Sequence, residues 1–426
     1  MEINRRQMVM ALAAAPVAGR VNAAPAPVPA TGAQPDDEAY WAGIAAHYDV
    51  TDEVIPLENG NWGMMARPVL ERYQAAVRHV NRENSYYARR GMGADLMAVR
   101  DRLAARMGFA PQEIAFTRNA TEALKTLIGG YNRLRPGDAV LYADLDYDSM
   151  QACFDSLRSR RGVEVVRIAL PEPATYQGLI DAYEAALRAN PRIRLILLTH
   201  LSHRTGLVVP VREIIAMARA RGVDAIVDAA HSWGQIDTRP VDLDADFIGF
   251  NLHKWWGAPL GVGLVYIRQS KVDLIDPDSA NSPPFAAGAY DRVHTGTLDF
   301  AAQLTVPDAL DFQDRIGDAA RAGRLRRLRD LWAEPLRGEP GLEILTPTDR
   351  RLYGGITSFR FAGRTSVADN KAIAQRLLAE HRIFTVHRDG PAGGACVRIT
   401  PALFNSALDV ETLRAGLVTV LRAQRG

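Results

Sequence analysis

From residue 113 onward the chain alternates short apolar runs with stretches of helical periodicity, an order that few architectures accept. Glu113-Ile-Ala-Phe-Thr117 reads as a strand, and Arg118-Asn-Ala-Thr-Glu-Ala123 opens a helix running to about Tyr131. Ala139 to Ala143 is the next strand, followed by a helix from about Tyr147. Val163 to Ile168, Leu195 to Thr199 and Ala225 to Asp228 are further apolar runs, separated by helical segments at 178–189 and 211–221. Strands apolar on both faces belong in a parallel sheet with helices on either side. Such a sheet places function at the carboxyl ends of its strands.

The pattern changes past about residue 305. One long Arg-rich amphipathic helix is expected from about Asp308 to Trp332, then short strands and two helices, the last carrying Val410, Leu413, Leu417, Val420 and Leu421 on one stripe. The expected organisation is a leader and linker at 1–30, a large domain with an N-terminal arm at 31–305, and a smaller α+β domain at 306–426. Upstream, Asp36 to Tyr48 reads as an acid-capped helix, and Leu96, Val99, Leu103 and Met107 mark one face of another. Between them, Leu57-Glu-Asn-Gly-Asn-Trp-Gly63 is a turn-rich segment that is either a plain turn or a loop reaching a ligand.

The formal charge of +2 is accounted for by Glu2, Arg5, Arg6 and Arg20, so the remainder is neutral. No basic run with interleaved aromatics occurs, which sets nucleic-acid binding aside. Arg5-Arg6 precede the apolar run Met8 to Ala15, and an Ala/Pro-rich tract extends to Ala30. The run is too short to span a bilayer and fits a secretory signal of the twin-arginine type, predicting a periplasmic or secreted protein. The alternative is a disordered tail on a cytoplasmic protein. Cys153 and Cys396 have neither metal-ligand spacing nor an inferable pairing.

Lysine is scarce: Lys125, Lys254, Lys271 and Lys371 stand among 51 basic residues. Where arginine supplies nearly all solvated charge, a lysine between apolar and aromatic groups suits chemistry that needs a deprotonated amine. Lys254 lies in Asn251-Leu-His-Lys-Trp-Trp-Gly257, twenty-six positions after Asp228 in Val227-Asp-Ala-Ala-His-Ser232, each segment ending an apolar run. An amine that condenses with an aldehyde, and an acid that keeps a ring nitrogen protonated, are the minimum apparatus for pyridoxal phosphate (PLP). The bland alternative is a lysine whose stem only packs on the tryptophans.

Other strand ends add to this. The turn Thr117-Arg-Asn-Ala-Thr-Glu-Ala123 can offer first-turn N–H groups and the Thr121 hydroxyl to a phosphate, or be an ordinary helix cap. Tyr147, in Asp144-Leu-Asp-Tyr147, can cover a planar ring or fill core. Thr199-His-Leu-Ser-His-Arg-Thr-Gly206 collects two imidazoles and several hydroxyls at one strand end.

In this order the motifs resemble the class V aminotransferase family of fold-type I PLP enzymes, over nearly all the chain after the leader. Leu57 to Gly63, Asp144 to Tyr147 and Val397-Arg-Ile-Thr-Pro-Ala-Leu-Phe-Asn405 resemble its isopenicillin N epimerase group. The resemblance implies a mainly parallel seven-stranded sheet with a smaller C-terminal domain. It implies that Lys254 forms the covalent link to PLP and Asp228 partners the pyridine nitrogen. Tyr147 then stacks on the ring, and Ala120, Thr121, His253 and Asn251 hold the phosphate. His231 and His203 take polar contacts at the ring, His203 standing where related cysteine desulfurases carry asparagine. Gly296 and Thr297 reach the phosphate of a neighbouring subunit, implying a homodimer with shared sites. Arg398 grips a substrate carboxylate, with Asn61 beside the substrate. No metal is expected.

Cys396, two positions before Arg398, is not the mobile thiol a desulfurase needs. The expected activity is therefore PLP chemistry at the Cα of an amino acid or peptide-like amine, as in an epimerase. The alternatives are an exported aminotransferase or C–N/C–S lyase tailoring a secreted peptide such as a siderophore, and a non-catalytic PLP-fold binding protein.

Overall fold

The computed structural model describes residues 33–285 and 287–423. The leader read at residues 1–30 lies outside them. The main sheet has seven strands in the order Ile114–Thr117, Gly263–Ile267, Phe247–Asn251, Asp224–Asp228, Ile193–Thr199, Ala139–Ala143 and Glu164–Ile168. From Phe247–Asn251 to Glu164–Ile168 every pairing is parallel. Gly263–Ile267, which the apolar pattern did not single out, lies antiparallel between Phe247–Asn251 and Ile114–Thr117.

Both faces of the sheet are covered, as strands without polar alternation require. Ala139, Leu141 and Ala143 join Ile196, Val227 and Ile248 in one apolar cluster, while Val140 and Tyr142 join Leu195, Leu197 and Ile226 in the other. Each fully buried Leu, Ile or Val contributes roughly 1.5–3 kcal/mol. Polarity returns at the edge strand, where Glu164 and Arg167 are exposed.

The segment from Asp308 to Trp332, expected as one amphipathic helix, is two helices, Val306–Ile316 and Asp318–Ala333. Gly317 separates them at φ +86°, a conformation open to glycine and strained for other residues. Nor do its arginines form a solvated stripe: Arg321, Arg324 and Arg329 are buried. Arg324 makes a two-point contact with Glu38 at 2.5 and 2.9 Å, fixing the helix Glu38–Ala45 against the body. Arg321 donates to the Gly234 carbonyl at 2.6 Å and lies 4.6 Å from the centre of the Trp256 ring. The long helix Arg67–Arg90, kinked at Asn84, was missed in the sequence because its residues are mostly polar or half-exposed.

A four-stranded antiparallel sheet follows, in the order Val386–Arg388, Cys396–Ile399, Thr357–Phe361, Leu342–Ile344. Helices Val367–His381 and Ala407–Arg422 pack on it through Ile373, Leu377, Leu413 and Leu417. Ser406 and Asp409 cap the last helix reciprocally, satisfying two backbone N–H groups. The N-terminal arm crosses to this region: Ile55–Pro56 pairs in parallel with Ile383–Phe384, and Glu58 bridges to Thr400. Among the described residues no helix is long and apolar enough to cross a membrane.

Candidate active site

A cavity of about 500 Å3 opens at the carboxyl ends of the parallel strands, within the size range of small-molecule sites. Asp228, Asn251 and Thr199 are the last residues of their strands, and Ala120 begins the helix Ala120–Gly130. Every sequence-predicted site residue lines this cavity except Gly296 and Thr297, which are exposed elsewhere on the chain. Asp228 and Lys254 thus face one space.

Lys254 sits in the connection between Phe247–Asn251 and Gly263–Ile267, and the N-terminal arm clamps that turn. Gly63 donates its N–H to the His253 carbonyl at 2.8 Å, and a β-carbon on Gly63 would fall 1.8 Å from the Lys254 carbonyl oxygen. Burial, with the Arg398 charge nearby, pushes the Lys254 ammonium from about 10.5 down to about 7, against the opposing pull of Asp228. Its Nζ lies 2.8 Å from His231 Nε2. Burial and the Lys254 charge hold His231 well below its ordinary range, so the ring is neutral and Nε2 can accept from the ammonium. His231 Nδ1 is buried without a partner.

Asp228 is buried and accepts the Ala230 N–H at 2.9 Å, and Lys254 is the cation that acts on it. Burial raises its pKa, opposed by that N–H and by Lys254. A protonated ring nitrogen would supply a further counter-charge.

At the other end of the cavity, three N–H groups of the first turn of Ala120–Gly130 have no intrahelical acceptor. Asn251 Oδ1 takes that of Ala120 at 2.8 Å, and Asn119 Oδ1 takes that of Glu122 at 2.9 Å. The Thr121 N–H and hydroxyl remain for an anion at the positive end of the helix. Asn251 thus shapes the turn through Ala120, and His253 is oriented by a 3.0 Å contact between Nδ1 and the Val262 carbonyl. A buried acid, a near-neutral primary amine and an unspent N–H turn fit PLP at its nitrogen, aldehyde and phosphate.

The third wall was only partly foreseen. Arg398, 1% exposed, donates through Nη1 to the His203 carbonyl at 2.7 Å. Through Nη2 it donates to both oxygens of Glu58, at 2.5 and 2.6 Å. Arg388 reaches the same carboxylate at 3.1 Å. Glu58 lies inside the flagged Leu57–Gly63 turn, so the turn itself was the signal; Arg388 ends a strand and carried none. His203 lies edge-on to Tyr147 at 5.3 Å and near-parallel to His231 at 6.3 Å. Burial and four surrounding cations, Arg204 foremost, keep it neutral. Cys396 is buried and its thiol is pushed up to about 11 by burial, and neither cysteine lines the cavity.

Residues 64–423 match the family described as Aminotransferase class-V. The isopenicillin N epimerase of Streptomyces clavuligerus is 29% identical over 396 residues, covering 89% of this chain and 98% of that protein. A probable chloroplastic L-cysteine desulfhydrase of Arabidopsis thaliana is 32% identical over 220 residues, covering 48% of this chain and 46% of that protein. Among solved structures, the Escherichia coli cysteine desulfurase CsdA superposes with a TM-score of 0.75 at 20% identity, covering 90% of this chain and 98% of that one. A C-DES mutant with glycine covalently linked to PLP gives 0.74 at 23% identity, covering 87% and 98%. These two likenesses carry the fold, with its α/β body and largely parallel sheet. By its match over residues 64–423, and by the cavity in which a lysine and an acid share one small-molecule space, the chain belongs to the class V aminotransferase family of PLP-dependent enzymes, in its isopenicillin N epimerase-like group.

Proposed function

We propose that this PLP enzyme epimerises the Cα of an amino acid, or of the amino-acid end of a peptide-like molecule. The observation that carries the reading is the 2.8 Å contact between Lys254 Nζ and neutral His231 Nε2, in a cavity without a thiol. When bound, the cofactor supplies an electron sink for the bond broken at Cα. Asp228 would hold the ring nitrogen protonated, and Thr121 with the Ala120 turn would anchor the phosphate. Lys254 would take the Cα proton of a bound substrate as a base matched to neutral pH. Arg398 orients the substrate carboxylate, with Asn61 at the mouth. Return of a proton to the opposite face needs a second carrier, and we assign this to His203, whose neutral imidazole would take a proton from water at one ring nitrogen as it gives one up from the other.

The similarity to isopenicillin N epimerases runs nearly the full length of both chains, which favours epimerisation. A second reading, C–S lyase, is favoured by the desulfhydrase similarity and likewise requires no enzyme thiol. Incubation with candidate amines in deuterated water separates the fates. Deuterium at Cα with the amine retained supports epimerisation; a keto product with amine transfer indicates transamination; released sulfide from cysteine indicates the lyase. The exposed Gly296 and Thr297 support a homodimer in which each subunit completes its neighbour's phosphate site, and sedimentation of the holoenzyme tests it. The Arg5-Arg6 leader supports export of the folded, cofactor-loaded chain, tested by fractionating cells with an Arg5→Lys/Arg6→Lys control.

A further inference from the structure

We infer that Glu58 is a built-in occupant of the carboxylate site, which a substrate carboxylate displaces from Arg398 and hands to Arg388. This rests on the reading of Arg398 as the substrate-carboxylate arginine and goes beyond it by naming what the substrate must displace.

The geometry has three parts. Glu58 is nearly inaccessible, with its side chain 6% exposed, and both its oxygens are bonded to Arg398 Nη2. Arg388 Nη2 already touches Glu58 Oε1 at 3.1 Å, so the carboxylate is shared between two guanidinium groups. Gly60 closes the arrangement: a β-carbon there would lie 2.9 Å from Arg398 Nη2, so the bare backbone packs directly against the guanidinium. Arg398 cannot retreat from the cavity without losing both this contact and the His203 carbonyl.

Charge counting gives the direction of the exchange. Two guanidinium groups share one carboxylate, and the neighbouring charged groups are otherwise engaged. The Asp148 and Asp389 carboxylates, both largely exposed, lie 4.0 and 3.9 Å from Arg204, Asp228 lies at the ring end with Lys254, and His203 is neutral. With those two carboxylates in solvent beside Arg204, the buried part of the wall keeps one carboxylate between two guanidinium groups. A substrate with a single carboxylate completes two pairs, substrate with Arg398 and Glu58 with Arg388. An amine without a carboxylate finds Glu58 in place and gains nothing. Glu58 thus keeps Arg398 paired when no carboxylate is bound, a state in which a lone buried guanidinium is costly, and sets the competition that a substrate carboxylate must win.

The test is a spectral titration of the holoenzyme with L-alanine and with L-alaninamide, which differ in the carboxylate, reading the visible absorption of the bound cofactor. In Glu58→Gln the carboxylate competing for Arg398 becomes an uncharged amide, and alanine binding is expected to tighten about tenfold relative to alaninamide. In Arg388→Met the displaced Glu58 has no partner, and alanine binding is expected to weaken by about tenfold or more, with alaninamide unchanged. Arg398→Met should erase the preference for alanine. A wild-type enzyme that does not distinguish the two amines, or an Arg398→Met variant that still does, overturns the reading of Arg398. If Arg398→Met erases the preference but Glu58→Gln weakens alanine binding or leaves it unchanged, or Arg388→Met leaves it unchanged, the exchange is overturned and the reading of Arg398 stands. Either variant suffices if the other does not fold.

Discussion

His231 Nε2 lies 2.8 Å from Lys254 Nζ, so the amine that must lose a proton is bonded to an imidazole that burial keeps uncharged. Burial and the Arg398 charge poise Lys254 at about 7, where it can both release and take a proton at neutral pH. Capture of PLP by the cofactor-free protein requires the free amine. Its rate is expected to rise about tenfold per pH unit below 7 and level off above it. Stopped-flow absorbance across pH 5–9 measures this, and a rate still climbing at pH 9 would argue for an unshifted lysine.

The same shift has a stability consequence. The folded-state value near 7 is below the ordinary 10.5, so between these values the unfolded chain binds the proton and the native one does not. Stability of the cofactor-free protein therefore rises with pH across that window, and the cost of burying the charge is fully felt below pH 7. Lys254→Met should stabilise the cofactor-free protein by on the order of a few kcal/mol at pH 6, and by little near pH 10.5. Urea unfolding at the two pH values measures the difference.

Gly63 and Gly43 make a matched pair. A β-carbon on Gly63 would lie 1.8 Å from the Lys254 carbonyl oxygen, so Gly63→Ala must move the arm or the lysine turn. A loss of roughly 3 kcal/mol or more, with weakened PLP binding, is expected. Gly43, inside the helix Glu38–Ala45, has open space around it, and Gly43→Ala should stabilise by about 0.5–1 kcal/mol. Thermal unfolding with and without PLP distinguishes them.

If His203 is the second proton carrier, His203→Asn should leave Cα–hydrogen exchange of one enantiomer in deuterated water nearly intact while slowing interconversion roughly a hundredfold. Equal slowing of both processes would assign the residue to cofactor placement instead. Replacing Cys153 and Cys396 together with alanine should leave turnover within about threefold, because neither thiol reaches the cavity.

The sheet was legible because parallel strands buried on both faces leave unbroken apolar runs, as in Ala139–Ala143. Gly263–Ile267 is equally buried, but it follows the lysine turn without an intervening helix, so the β–α rhythm did not mark it. The Asp308–Trp332 stretch misled for a physical reason. Its arginines look solvated in sequence, yet Arg321 and Arg324 are neutralised inside the fold by Asp318 and Glu38, partners 3 and 286 positions away. At the site, the acid, the amine and the anion turn were visible because their chemistry demands particular side chains at strand ends. Glu58 and Arg388 were not, because their pairing joins segments 330 residues apart and only the folded chain brings them together.

The claim on which the rest depends is that Lys254 is the residue joined to PLP. Borohydride reduction of the holoenzyme, followed by peptide mass mapping, fixes the cofactor to whichever lysine carries it. The expected result is one phosphopyridoxyl group per chain on Lys254, with Lys125, Lys271 and Lys371 unmodified. Stoichiometric label on any of those three, or none on Lys254 in a holoenzyme that retains its cofactor, would contradict the account.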